Sequence, residues 1–335
     1  MNQDSTISNT KIYYRLIALW ALCEGLLGGI LHGLRLPVTG LFVGGAAVIC
    51  IALIAYYHPQ KGSIIKATII VAVFKLMLSP YASFAAFLAV FFQGIVGELL
   101  FLSDRKFFRI ICLLLAVITM IESALQRILV LTIVFGSNSW NALNVFIKEL
   151  TQQKTITNYS LLLALTYVLL HVFAGVLVGW FAGKIPFNMQ HWPLNEYIIK
   201  EKNSVALLSN DHSKKKKKFG LLFIWFMLIL LLIQSDFHIG RPLLPPKSIA
   251  QLLLHSFVII FAWYLIINPL LLQWFKKRLD KQKNKFETEI QEIAQLLPVI
   301  NFILKKSWQL SASLKGLKRM TLFSKIVIAN TLHES

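Results

Sequence analysis

Acidic residues are scarce in this chain: 15 Asp and Glu stand against 34 Lys and Arg in 335 residues, a formal net charge of +19. Cysteine is scarcer still. Cys23, Cys50 and Cys112 each lie in an apolar run with no metal-type spacing between them, so they read as small packing residues and no disulfide is required. No GxxxxGK[ST] loop occurs; Gly179-Trp180-Phe181-Ala182-Gly183-Lys184 lacks both the spacing and the following Ser or Thr. ATP hydrolysis by this chain itself is therefore not expected. HExxH, CxxC and GxSxG signatures are missing too, and His171 and His191 have no partner at ligand spacing. With no convincing nucleophile or metal set, the expectation is a non-enzymatic chain without a cofactor or metal of its own.

What the chain has in abundance is apolar sequence. Hydrophobic residues make up 56% and the mean hydropathy is +0.65, which marks an integral membrane protein. The N-terminus MNQDSTISNT is polar and the apolar run after it is long enough to stay in a bilayer, so no removable signal peptide is expected. The positive charge follows topology rather than a nucleic-acid surface. Residues 184–218 hold eight Lys against three acids, and residues 276–335 hold twelve Lys or Arg against five. Both segments adjoin membrane spans, where basic residues mark the cytoplasmic side.

The hydropathy pattern predicts an all-α integral membrane protein with eight spans, roughly 15–35, 38–57, 64–80, 83–103, 108–135, 157–183, 219–235 and 248–274. The chain divides into a six-span bundle (1–185), a basic cytoplasmic linker (186–218), a two-span hairpin (219–275) and cytoplasmic amphipathic helices (276–335). Lys11 and Arg15, Lys61 and Lys66, Arg105, Lys106 and Arg109, Lys184, and Lys276, Lys277 and Arg278 alternate along the chain as the positive-inside rule requires. Both termini are then cytoplasmic, in an inner membrane. The run Lys214–Lys218 reads as a solvated linker or as a segment resting on anionic headgroups. Asn268-Pro269 predicts a kink in the eighth span.

The organising stretch runs from Ala18 to Ala47. Its first helix carries Gly25, Gly29 and Gly33 at spacing four, with Gly28 beside them, a small-residue stripe that lets another helix approach closely. It also carries Glu24, His32 and Arg35, ionisable groups that a lipid-facing helix does not normally keep. Lys75, Gln93, Glu122, Gln126 and Arg127 extend this polar set through spans three to five, while Glu98 lies toward the cytoplasm. Two readings stand. The set lines a solute pocket in which Lys75 and Arg127 hold a carboxylate or phosphate. Alternatively it forms internal ion pairs, for example Lys75 with Glu122 and Arg127 with Glu24.

After the last span, Phe286, Ile290, Ile293, Leu297, Ile300 and Leu304 recur at spacings of three and four, an amphipathic helix that Pro298 should bend or divide. Trp308, Leu314, Leu317 and Phe323 continue the series among Lys315, Lys318, Arg319 and Lys325. Such a stripe lies on a membrane surface or docks in a partner's groove.

Six spans with a small-residue first helix, then a basic linker, two spans and cytoplasmic amphipathic helices, resemble an energy-coupling factor (ECF) type transporter. Residues 1–185 are similar in layout to its substrate-binding S component, with LHGLRLPVTGLFVGG, KGSIIKA and FFQGIVGELLF as the relevant segments. Residues 219–335 look like a shortened T component. The resemblance implies that Ala18, Ala21, Gly25 and Gly29 pack against the T component, and that two coupling helices dock onto paired ATPases through Ala-Arg-Gly-like motifs. Leu314-Lys315-Gly316 and Lys318-Arg319-Met320 stand in that setting without matching the motif. The leading expectation is thus a transport component binding a small solute, with ATP hydrolysed in trans by separate subunits. The rival is a non-transporting membrane scaffold or assembly subunit that recruits a partner through the same C-terminal helices.

Overall fold

The computed structural model describes residues 3–29, 39–79, 82–152, 158–189, 192 and 246–333. Among them every regular element is helical and no strand occurs. The helices are α1 (Gln3–Leu22, continued by a π-helical turn at Cys23–Leu27), α2 (Thr39–Tyr57), α3 (Ser63–Leu78), α4 (Phe84–Phe101), α5 (Phe108–Phe135, preceded by a 3-10 turn at Arg105–Phe107) and α6 (Asn138–Thr151). They continue with α7 (Tyr159–Asn188), α8 (Pro246–Ala262, followed by a π-helical turn at Trp263–Ile267), α9 (Asn268–Lys285), α10 (Glu287–Leu310) and α11 (Gly316–Leu332). Among the described residues, five helical stretches are long and apolar enough to cross a membrane: Thr39–Tyr57, Phe84–Phe101, Arg105–Phe135, Tyr159–Asn188 and Ile249–Lys285. The described residues are thus all-helical and include helices suited to a membrane. The expected span at 219–235, like His32, Gly33, Arg35 and the Lys214–Lys218 run, lies outside the described residues.

Two compact units are interleaved in sequence. One comprises Met1–Thr119, Ala174–Ser213 and Phe275–Ser335; the other comprises Met120–Phe173 and Lys214–Trp274. This differs from a consecutive division at residues 185, 218 and 275.

The first unit is built around α1, which packs against α2, α3, α10 and α11. Every residue from Leu16 to Leu22 is buried, so this segment has no lipid- or water-facing side. Two hydrogen bonds fix its register: Tyr13 donates to the Ser63 carbonyl at 2.8 Å, and Lys75 reaches Glu24 at 2.7 Å, so α1 and α3 run parallel. Helix α4 runs antiparallel to α3, with Glu98 at the start of α3 and Ala86 beside Lys75. The Glu98 carboxylate accepts the backbone N–H groups of Gly62 at 2.6 Å, Ile64 at 3.1 Å and Ile65 at 3.4 Å. These are the unpaired donors of the α3 N-terminus, and a carboxylate there also meets the positive end of the helix dipole. Gly62 turns the chain into α3 at φ +82°, the left-handed region that glycine enters at least cost. Glu98 is therefore a helix cap supplied from a neighbouring helix.

A glycine stripe on α7, not the one on α1, brings two helix backbones into direct contact. A Cβ at Gly175 would lie 2.9 Å from the Val117 Cα, at Gly179 2.5 Å from the Leu113 Cα, and at Gly183 3.1 Å from the Arg109 Cα. Backbone meets backbone along α5 and α7. On the α1 side, Ala18 and Ala21 are fully buried and Gly25 faces the Leu78 side chain, whereas Gly29 is exposed and a Cβ there would meet, among the described residues, only Ser79 Oγ at 3.8 Å. Among the described residues, then, the packing expected of Gly29 is not seen. Gly179→Leu is expected to lower the thermal stability of the detergent-solubilised chain by about 1–3 kcal/mol or more through overpacking, whereas Gly29→Leu should melt close to wild type. Paired melting curves check both.

The C-terminal stripe is occupied by the chain itself. Ile290, Ile293, Val299, Ile300 and Ile303 are buried in α10, and Leu297 and Leu304 are half-buried, with α1 as the main neighbour. Lys66 of α3 pairs with Glu289 of α10 at 2.7 Å, and Arg15 donates to the His333 carbonyl at 2.7 Å beyond the end of α11. This corrects the expectation that Ile290, Ile293, Leu297, Ile300 and Leu304 stand ready for a partner: the apolar face is already covered. Pro298 does not divide α10, which is one helix from Glu287 to Leu310.

His58, just past α2, stacks on Tyr13 with centroids 4.4 Å apart. Burial pushes its pKa down; a hydrogen bond with the Gln60 side chain raises it and the Lys66 charge lowers it, leaving it below the usual value. The folded chain therefore prefers the neutral ring. That contribution to stability is present above about pH 6.5, the unfolded value, and is lost as pH falls through the lowered folded value. The melting temperature is expected to drop over that window, and His58→Phe, which keeps the stacking, should flatten the drop. Burial also raises the Glu289 carboxyl, but the hydrogen bond and charge of Lys66 leave it below its usual value. Its contribution is present above the unfolded value of about 4.3 and fades only below that, so the two windows separate.

In the second unit, α6 packs against α8. Residues 138–151, expected to be a connection, form a helix in which Trp140 Nε1 donates to Thr132 Oγ1 at 3.0 Å and Asn144 Oδ1 accepts from the Ser160 amide at 2.8 Å. Helix α8 passes into α9 through the π-helical turn just before Pro269. That turn accommodates the missing proline N–H at the place where a kink is predicted.

Candidate functional site

The buried polar groups of the first unit converge where α1 changes from α to π geometry. Glu24 sits in that π-helical turn, a distortion frequent at functional positions, and is 2% exposed. Lys75 Nζ donates to Glu24 Oε2 at 2.7 Å and to the Ala86 carbonyl at 3.0 Å, and stands 5.9 Å from the centre of the Phe87 ring. An ammonium buried in this way carries a large desolvation cost, which the carboxylate, the carbonyl and the ring face together offset.

The pair is not fully satisfied. Glu24 Oε1 has no hydrogen-bond partner among the described residues, nor do the buried Trp20 Nε1 and Gln93 Oε1. Trp20 lies one turn before Glu24 on α1. Gly94 faces Thr68, so the antiparallel register sets Gln93 close to the depth of Trp20, about 10 Å from Lys75 at 1.5 Å per residue. Below them, Thr68 donates to the Ile64 carbonyl at 2.7 Å and Tyr13 to that of Ser63. By depth, the buried polar groups of α1, α3 and α4 thus form a column of levels, from Glu24 and Lys75 through Trp20 and Gln93 to Tyr13. Unpaired polar atoms at such depth cost about 1–3 kcal/mol each, so their number calls for an explanation.

The structure brings together Glu24 and Lys75 and sets Gln93 in the same unit. Glu122, Gln126 and Arg127 belong to the other unit, on α5, where Glu122 and Gln126 are half-buried and Arg127 is exposed. The suggested pairs of Lys75 with Glu122 and of Arg127 with Glu24 are corrected: the parallel α1–α3 register gives Lys75 to Glu24. Sequence reasoning missed Trp20, whose indole N–H looks like ordinary core aromatic content, and the capping role of Glu98. Among the described residues no group of three or more His, Cys, Asp or Glu is placed to hold a metal ion. No family model, curated protein or solved structure matches the chain.

Proposed function

We propose that this chain is a membrane transport component in which the polar column handles a small polar solute or proton and the C-terminal helices report on it through α1. One observation carries the reading: a single helix, α1, bears Glu24 at one end and the contact with α10 and α11 along its length. A shift of α10 or α11 has a rigid path to the Glu24–Lys75 pair, the kind of packed two-ended element that coupling requires. Eight spans, an inner-membrane location with both termini cytoplasmic, and ATP hydrolysis by separate subunits, as in ECF-type transporters, complete the proposal. The basic residues Lys61, Arg105, Lys106 and Lys184 support that orientation. A cysteine introduced at exposed Ser103 is expected to resist an impermeant maleimide in intact cells; efficient labelling from outside reverses the topology.

The rival reading, a non-transporting scaffold, draws support from the closed Glu24–Lys75 ion pair, which needs no ligand. Glu24→Met with Lys75→Met separates the two. The transport reading expects a folded variant that still co-purifies stoichiometrically with an ATPase but no longer supports solute uptake by the complex. Full uptake by that variant, or a wild-type complex without any ATPase, favours the scaffold.

A further inference from the structure

At the end of the first unit opposite the Glu24–Lys75 pair lies a cleft of about 310 Å³, within the size range of small-molecule sites. It opens between the α2–α3 turn and the α4–α5 turn, and Phe187 near the end of α7 closes one side. The candidate spans Thr39–Tyr57 and Phe84–Phe101 end at it, Arg105–Phe135 begins at it, and Tyr159–Asn188 ends beside it. Four chain crossings thus change from apolar to polar at the depth of this cleft, which sets it at the membrane–water boundary.

Its lining is divided by chemistry. The inner wall is aromatic: Tyr56 stands 5.4 Å from Phe108 and 6.1 Å from Phe187, and Phe101 stands 5.6 Å from Phe108. The rim carries Lys61 and Arg105, both exposed and neither in an ion pair among the described residues, together with Asp104. Glu98 also lines the cleft, but its carboxylate is taken up by the three amides of the α3 N-terminus. The cations are therefore the free charges in excess. Basic side chains over an aromatic, apolar wall at headgroup depth match a phosphoryl group whose attached chains run into hydrocarbon.

We propose that this cleft binds a phosphoryl group, supplied by a membrane phospholipid, with Lys61 and Arg105 holding the phosphate and the Tyr56–Phe101–Phe108–Phe187 wall taking the glycerol and upper acyl region. The test is native mass spectrometry of the full chain purified in mild detergent and titrated with phosphatidylglycerol. The expected result is a retained lipid adduct whose occupancy falls on the order of tenfold or more in Lys61→Gln/Arg105→Gln, from about 1 kcal/mol per basic contact. The charge-matched variant Lys315→Gln/Lys318→Gln, at exposed positions on and before α11, should keep wild-type occupancy. Equal occupancy in wild type and the cleft variant, or an equal loss in the control, overturns the site. If the double variant is not recovered folded, Arg105→Gln alone carries the same comparison. A second arm titrates inorganic phosphate into delipidated protein and follows thermal stabilisation. Stabilisation that depends on Lys61 and Arg105 and that phosphatidylglycerol does not compete away overturns the lipid assignment in favour of a soluble phosphate.

Discussion

Lys75→Met is expected to leave little folded protein. The substitution removes the cation from a pair in which both side chains are at most 6% exposed, stranding the Glu24 carboxylate inside the α1–α3–α4 core. Breaking a buried pair from one side costs about 3–5 kcal/mol, a large part of the stability of an ordinary domain. Glu24→Met strands the ammonium instead, with the Ala86 carbonyl as its remaining acceptor, and should be nearly as damaging. The double variant Glu24→Met/Lys75→Met removes both charges and fills the space with apolar side chains of similar volume. Exchanges of that kind are often neutral or stabilising. Heating the detergent-solubilised proteins and following the monodisperse fraction by size-exclusion chromatography gives the three comparisons. Single variants as stable as wild type would mean that the pair is solvated and that the buried-column account is wrong. Recovery of stability in the double variant is also what makes the uptake experiment interpretable, since loss of function there cannot be assigned to unfolding.

The pair shows where the sequence stops being informative. Apolar runs bounded by Pro, Gly and basic turns mark helices closely: 38–57 is expected and Thr39–Tyr57 is found, and 108–135 coincides with α5. A run's length and hydropathy are local properties, so they survive folding unchanged. That Lys75 meets Glu24 rather than Glu122 depends on the relative direction and register of two helices whose paired residues are 51 positions apart, which no periodicity records. The glycines at 175, 179 and 183 were legible by spacing. The same spacing recurs in α1 at 25, 29 and 33, and spacing alone does not rank one stripe above the other. Helix α6 is hidden for another reason: Asn138–Thr151 mixes Lys148 and Glu149 with apolar residues over a length too short to cross a bilayer, so it leaves no span-like hydropathy signal. The stripe of α10 was plain as a pattern, but amphipathicity says only that a helix has an apolar face, not what covers it.

What covers it sets the outcome expected for Ile293→Asp. Ile293 is fully buried, on the face of α10 that packs against α1. The change forfeits about 1.5–3 kcal/mol of apolar burial and places a carboxylate at a fully buried position, which adds a desolvation cost of several kcal/mol. Glu289 and Glu292 on the same helix would repel it further. The first unit should therefore lose the α1–α10 packing as a whole: amide exchange should accelerate in α1 around Tyr13 to Ala18 as well as in α10, and the melting temperature should fall steeply. Leu297→Asp, at a half-buried position of the same stripe, should do less, because its carboxylate can reach water. A surface stripe kept for a partner makes the opposite prediction, namely wild-type melting and exchange in both variants with only the partner lost. If α10 loosens while the exchange of α1 is unchanged, the two helices are not mechanically linked, and the route from the C-terminal helices to Glu24 is broken at its first step.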